Sequence, residues 1–266
     1  MIGDFRGTRS RIESSWERSS PQRARDFAAP SPYAALSYQR DGRMQLLAYG
    51  LLGLPALVVI WLVLVRLVRH FYKFPMPEFM APLIDNPLRR RFQPPDQMPI
   101  RHGIEPGMTV LEVGPGNGRY TLAAARRVGA QGRVVAVDIE PKMIDRLNRR
   151  VREQQATNVE GRLGNVHALP FEDSFFDAVY MIAVIGEIPD PSRAMREFHR
   201  VLVPDGVLAF SEFFPDPDYP SAGKLIHLAE STGFRLRKKV GNWWSYTVVF
   251  EKFHTRANTL SGAGAA

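Results

Sequence analysis

The sequence predicts an α/β protein: a doubly wound sheet, mostly parallel with an antiparallel C-terminal strand, preceded by one transmembrane helix. Three observations predict it. From residue 103 onward, short apolar runs alternate with amphipathic helical stretches, the pattern of a parallel sheet joined by crossover helices. Between the first such run and the first helical stretch lies "LEVGPGNGRY", which sets Gly114, Gly116 and Gly118 where strand passes into helix. Upstream, "LLAYGLLGLPALVVIWLVLV" from Leu46 to Val65 contains no charge, and twenty helical residues extend about 30 Å, one hydrocarbon thickness.

Residues 1–43 are rich in Arg, Ser and Pro with no sustained period, and are expected to form a disordered basic tail. The transmembrane helix is expected over 44–70; Pro55 and the pair Gly50 and Gly53 suit a membrane helix better than a soluble one. Arg66, Arg69 and Lys73 outnumber Arg40 and Arg43, which leans toward a single-pass protein with a cytoplasmic C-terminal domain. Residues 71–100 read as a proline-rich juxtamembrane connector. It holds one amphipathic helix carrying Phe79, Leu83, Ile84, Leu88 and Phe92 at helical spacing. Two readings of that helix stand together: a cap on the following domain, or an interfacial helix whose Arg89 to Arg91 meet lipid phosphates.

A domain follows over 101–256. "TVLEV" reads as its first strand, "RYTLAAARRVG" as a helix closed by Gly129, "RVVAVD" as a strand, and "PKMIDRLNRRVREQQ" as a helix opened by Pro141. "VEGRLGN", "FDAVYMIAV" and "GVLAFSE" supply further strands, with "PSRAMREFHRVL" as the helix before the last of them. A final helix and two β-rich runs around Gly241 and Asn242 complete it, and 257–266 is a flexible tail.

Composition limits the chemistry. The absence of cysteine excludes disulfides, thiol nucleophiles and cysteine-ligated zinc or iron–sulfur sites. The net charge of +8 would suit nucleic acid, but much of it precedes residue 102, eight arginines falling in the first 43 residues. No nucleic-acid partner is expected.

A glycine turn between strand and helix lets backbone N–H groups approach a ligand, with the helix N-terminus favouring negative charge. Asp138 closes the second strand twenty residues after Gly118, placed to accept hydrogen bonds from two ribose hydroxyls. The two signals point to an adenosine cofactor. A dinucleotide fingerprint would need a third glycine where Arg119 stands. Glu112, just ahead of the loop, would repel a pyrophosphate and attract a cationic amine.

"VLEVGPGNGRYTL", "VVAVDIEPKMI", "GRLGNVHALPFEDSFFDAVYM" and "AMREFHRVLVPDGVLAFSE" together resemble class I S-adenosylmethionine-dependent methyltransferases, nearest to the ubiquinone/menaquinone methyltransferase-like branch. The resemblance covers about residues 100–215 and implies a Rossmann-like fold with S-adenosylmethionine as cofactor. It implies that Gly114, Gly116 and Gly118 line the methionine and ribose, with Glu112 near the methionine amine and Asp138 on the ribose hydroxyls. It also implies Ile139 and Met143 against the adenine, Asn165 and Val166 at its edge, and Met181 and Ile182 beside the methionine portion. Asn165 stands where the family usually has Asp, and Glu187 where relatives often have His.

Glu187 facing the acceptor is the catalytic candidate, as a base or an orienting carboxylate; its alternative is a solvated loop carboxylate. His167 and His199 read as structural. "EFFPDPDYP" and "GNWWSYTVVF" offer an aromatic wall for the acceptor or, more simply, core. The membrane segment, with the lipid bilayer as partner, biases the acceptor toward a small lipophilic molecule. The rivals are a fold-retaining binding or scaffold protein without turnover, a tethered methyltransferase of a soluble small molecule, and a nicotinamide-dependent reductase, which Arg119 disfavours.

Overall fold

The computed structural model describes residues 49–50, 52–57, 59–61, 63–68, 87–214 and 216–253. The basic tail, residues 69–86 with Phe79, Leu83 and Ile84, and the C-terminal tail lie outside them. The chain divides into two units, Met1–Leu62 and Val63–Ala266. In the first, residues 49–50, 52–57 and 59–61 are helical, with Leu52, Leu54, Leu57 and Ile60 exposed.

Among the described residues no helix is long and apolar enough to cross a membrane. The transmembrane helix expected over 44–70 is therefore not found.

In the second unit, strand-forming segments alternate with helices as their periods predict. In chain order these are α1 (Pro87–Phe92), a 3-10 turn (Pro95–Gln97), α2 (Met98–Arg101), β1 (Thr109–Val113), α3 (Arg119–Val128), β2 (Arg133–Asp138) and α4 (Pro141–Glu153). Then come β3 (Val159–Leu163), β4 (Phe176–Ile182), a 3-10 turn (Ile185–Glu187), α5 (Pro191–Val201), β5 (Leu202–Phe213), α6 (Ala222–Glu230), β6 (Phe234–Gly241) and β7 (Ser245–Lys252). The seven strands run β3-β2-β1-β4-β5-β7-β6. The first five are mutually parallel, β7 is antiparallel to β5, and β6 pairs with β7 alone. Two C-terminal strands therefore form the antiparallel end, where one was expected. Strand β5 also begins earlier than predicted, at Leu202, through Asp205 in a left-handed conformation at φ 60°.

Period-two alternation splits the apolar residues between the faces. Leu111, Val113, Val179, Leu208 and Phe210 meet α5 and α6 through Met195, Phe198 and Leu225. Val110, Val134, Ala178, Tyr180 and Ala209 meet Met98 of α2 and Ala124, Ala125 and Val128 of α3. Met98 is 1% exposed, so the core draws on residues ahead of the predicted domain start at 101. His102, also buried, sets its Nε2 2.7 Å from Ser211 Oγ, which lies 2.7 Å from Thr247 Oγ1. This chain fastens the lead-in segment to β5 and β7. Desolvation, reinforced by Arg101, lowers the His102 pKa to about 3 and keeps its ring neutral.

The reading of Arg89 as a lipid-facing residue is corrected. Its guanidinium is buried, donating to Gln93 Oε1 at 3.0 Å and to the Ile182 carbonyl at 3.4 Å, while Arg90 and Arg91 are exposed. One helix thus does two things: Arg89 faces the domain, and its neighbours face solvent.

The parallel strands end together, and the loops leaving β1, β2, β3 and β4 line one cleft. Gly118, at the N-cap of α3, holds φ +77°, and a Cβ there would sit 2.6 Å from Leu147 Cδ1 of α4. Left-handed strain and this overlap together should cost Gly118→Ala about 2 kcal/mol, lowering the melting midpoint by roughly 4–8 °C in thermal denaturation. An unchanged midpoint would remove Gly118 from the α3–α4 packing.

Candidate functional site: a cofactor cleft at the strand ends

The cleft encloses a cavity of about 390 Å³, within the range of small-molecule sites. Glu112 enters it from β1. Strand alternation turns this carboxylate toward α3, opposite Ala136 and Tyr180 in register, and only 3% of the residue is exposed. Burial raises its pKa to about 7; the facing hydroxyls of Thr121 and Tyr180 offset part of that rise, and the charge of Asp138 adds to it. Thr121 and Tyr180 thus face the carboxylate, yet Glu112 Oε2, Thr121 Oγ1 and the Tyr180 hydroxyl fall short of hydrogen-bond geometry with any partner among the described residues. A buried carboxylate oxygen without a donor is costly. A cation delivered by a ligand relieves that cost.

The loop after β1 keeps side chains out of the cavity. Gly114, at φ +68°, passes so near β4's exit that a Cβ would lie 2.5 Å from Val184 Cγ2. Gly116, at φ +53°, has open space on its Cβ side and also lines the cavity. Arg150 of α4 pins the loop by donating to the Asn117 carbonyl at 2.8 Å.

Asp138 stands at the end of β2 and lines the cavity with Ile139 and Met143. Burial lifts the Asp138 carboxyl above its ordinary range, while the Glu140 amide, donating to Oδ1 at 3.0 Å, pulls it back. Ile139 is 56% exposed, an apolar surface with nothing of its own to cover it fully. Asn165 and Val166 follow β3. Asn165 Oδ1 accepts the His167 amide at 2.9 Å, so this turn commits the carbonyl end and leaves Nδ2 as the group to present to a ligand.

Two residues assigned to the site do not line the cavity. Gly118 serves the packing of α3 on α4 as described above. Met181 is fully buried with Val179 and Met195, because its place in the strand turns it into the core, whereas the next residue, Ile182, lines the cavity.

At the far side, Glu187 lines the cavity from the 3-10 turn after β4, its amide donating to the Val184 carbonyl at 2.9 Å. Arg89 and Tyr120, which the sequence reading did not assign, close this end. The Arg89 guanidinium stands 5.8 Å from the Tyr120 ring, and the Tyr120 hydroxyl donates to the Gln93 carbonyl at 3.1 Å. Arg89 was hidden in an arginine run, although Arg89, Phe92 and Gln93 share one helical face. Also unassigned was Glu212, near the end of β5, 1% exposed with Oε1 lacking a hydrogen-bond partner among the described residues. Burial holds its carboxyl well above the usual range, nearby Asp216, Glu187 and Asp218 push further, and Arg89 opposes them. His167 also lines the cavity, but its Nε2 lies 3.0 Å from the Asp190 carbonyl, a structural contact.

Comparison with known proteins fits this geometry. Residues 111–210 match the family described as "Methyltransferase domain". An arsenite methyltransferase of Halobacterium salinarum is 36% identical over 117 residues, 44% of this chain and 30% of that protein. A ubiquinone/menaquinone biosynthesis C-methyltransferase of Vibrio parahaemolyticus is 30% identical over 174 residues, 60% of this chain and 63% of that protein. The chain thus spans less than two thirds of the length of these curated relatives. The solved structure of an S-adenosylmethionine-dependent methyltransferase from Aquifex aeolicus shares the fold, with a TM-score of 0.63 at 24% identity, over 67% of this chain and all of that one. Residues 111–210 thus match a methyltransferase-domain family, and that family and fold together imply S-adenosylmethionine as the cofactor.

The residues present fit that cofactor: an orphaned, buried Glu112 oxygen for its ammonium and an open left-handed loop for its backbone. Exchanging this charge-assisted contact for a neutral one in Glu112→Gln should weaken S-adenosylmethionine binding by about 10- to 100-fold, read by titration calorimetry. Asn165→Asp should keep the turn and add an acceptor for the adenine amine, strengthening binding. Equal affinity in wild type and Glu112→Gln would remove the carboxylate from the cofactor's amine.

Proposed function

We propose that the protein is a membrane-associated S-adenosylmethionine-dependent methyltransferase of a small lipophilic acceptor. What carries this reading is that one cavity has cofactor-type carboxylates, Glu112 and Asp138, at one end and Glu187 with a buried Arg89 at the other. When bound, S-adenosylmethionine supplies a methyl group on a sulfonium, with a neutral thioether as leaving group. Glu112 would hold the ammonium, Asp138 the ribose hydroxyls, Ile139 and Met143 the adenine faces, and Asn165 and Val166 its edge. Glu187 accepts the proton that an oxygen or carbon acceptor must lose when it gains a methyl. Arg89 supplies positive charge to an acceptor oxygen that becomes negative. Val184, Ile188 and Pro189 give the acceptor end apolar walls that exclude water.

The lipophilic acceptor is supported by those walls and by the exposed leucines and isoleucine of the helical residues 52–57 and 59–60. The membrane association is supported by the uncharged run from Leu46 to Val65 and the basic residues after it. A quinone precursor belongs to this acceptor class, in keeping with the name of the Vibrio relative. Arsenite is disfavoured: arsenic(III) is soft and seeks thiolates, and the chain has no cysteine.

The full chain is incubated with methyl-labelled S-adenosylmethionine and vesicles of a total lipid extract. Label is expected in an organic-phase product heavier by one methyl. Glu187→Gln should lower kcat by roughly 10²–10⁴-fold while leaving cofactor affinity unchanged. Cofactor binding without label in any fraction would mark a binding protein on a methyltransferase fold, and label confined to the aqueous phase would mark a soluble acceptor.

A further inference from the structure

Six aromatic rings gather at the same sheet edge as the cofactor cleft: Phe92 of α1, Phe213 and Phe214 at the end of β5, Tyr219, and Trp243 and Trp244 in the β6–β7 turn. Phe92 lies 5.8 Å from Phe213 and 6.2 Å from Trp244, Phe213 lies 5.4 Å from Trp244, and Phe214 lies 5.3 Å from Trp243. Core packing accounts for Phe213, which is 5% exposed, but not for Trp243, which is 71% exposed, or for Phe92 and Phe214 at 38% and 37%. The exposure is imposed by the backbone. Asn242 Oδ1 accepts the amides of Trp244 at 2.9 Å and Ser245 at 3.1 Å, and the Tyr219 hydroxyl donates to the Trp243 carbonyl. A tightly hydrogen-bonded turn therefore holds an indole out from the protein, within a cluster of other rings.

The surroundings of the cluster are those of a lipid interface. Arg66 sets its guanidinium 4.9 Å from the centre of the Phe214 ring. It belongs to the helical residues 63–68, where Val63, Leu64, Leu67 and Val68 are each more than half exposed. On the other side, Arg90 and Arg91 are exposed on α1 next to Phe92. Exposed apolar residues, amphipathic rings and arginines are thus neighbours here, the side-chain types that meet hydrocarbon, headgroup and phosphate. Asp216 and Asp218 lie near this edge but are half-buried, and Asp216 Oδ1 is occupied by the Asp218 amide at 2.8 Å. The cluster also adjoins the site, since Arg89 lines the cavity and Phe92, three residues on, belongs to the rings.

We propose that this aromatic edge is a membrane-docking surface, with Trp243 and its neighbours seated in the interfacial layer of a phospholipid bilayer beside the acceptor end of the cleft. It rests on the lipophilic-acceptor reading only for its purpose, which is to let an acceptor pass from the bilayer into the cavity. The occupant is a lipid surface, because the exposed arginines and the apolar turn at Val63–Val68 flank the same rings.

The chain has no cysteine, so Trp243→Cys in the full chain offers one site for an environment-sensitive fluorophore. Glu172→Cys, exposed at the opposite end of β4, is the reference. With phosphatidylcholine vesicles, alone or mixed with an anionic phospholipid, the probe at 243 is expected to shift to the blue. It should be quenched by headgroup-level nitroxides more than by deep ones, and the probe at 172 by neither. Trp243→Ser should weaken vesicle binding by about tenfold. It should slow methyl transfer to a vesicle-borne acceptor by a similar factor, leaving transfer to a detergent-dispersed acceptor unchanged. Vesicle binding with the probe at 243 still in water would overturn the proposal, as would no vesicle binding at all. Transfer to the dispersed acceptor would in either case leave the proposed function standing, and its loss in the wild type would defeat that function separately.

Discussion

The structure depends on a carboxylate buried with no cation of its own and with one oxygen left without a hydrogen-bond partner among the described residues. Glu112 lies in β1, the strand between β2 and β4, on the face that α3 covers, and its Oε2 meets no donor among the described residues. Burying an ionised carboxyl without compensation costs several kcal/mol, so such a group protonates or waits for a cation. Its pKa near 7 describes a group balanced between these two fates. The left-handed glycines beside it complete the arrangement by keeping Cβ atoms away from the space a ligand needs. Substituting Gly114 would bring the loop against Val184, and thus disturb the cofactor and acceptor ends of the cavity together.

Around this centre the two ends of the cleft are held by different means. The cofactor end is built from strand termini, whose positions the sheet fixes to within its hydrogen-bond register. The far end, where we place the acceptor, is built from α1 and the turn after β4, which depend on side-chain contacts: Arg89 on the Ile182 carbonyl, Tyr120 on the Gln93 carbonyl, His102 on Ser211. One fold can therefore keep its cofactor while its acceptor changes, because remodelling α1 leaves the strand termini in place. Glu212 adds a second buried carboxyl at that end, whose neutral form avoids repelling Glu187.

Much of this was legible in the sequence. Alternating apolar residues gave β1, β2, β4 and β5 their places, and the pairing of Glu112 with Asp138 distinguished an amino-acid-bearing adenosine from a dinucleotide. What could not be read followed from contacts distant in sequence. Arg89 looks like its two neighbours until the Ile182 carbonyl and Tyr120 are known. Met181 and Ile182 are equally apolar, and only the strand's alternation sends the first into the core and the second to the cavity. Gly118 belongs to a glycine motif but answers to Leu147, twenty-nine residues on. The uncharged run at 46–65 spoke for a spanning helix on length and hydropathy, while among the described residues no helix is long and apolar enough to span.

The central claim, that a buried Glu112 without a cation of its own selects a cationic cofactor, is tested most directly by proton release on binding. Titration of S-adenosylmethionine into the protein between pH 6 and 7, below the range in which an α-amino group titrates, is repeated in buffers of different ionisation heats. Glu112 titrates near 7 in the free protein and is held ionised by the bound ammonium. Binding should therefore release close to one proton per cofactor at pH 6 and about half at pH 7, with affinity rising as pH rises. Proton release that is absent, or that persists unchanged in Glu112→Gln, would contradict the account.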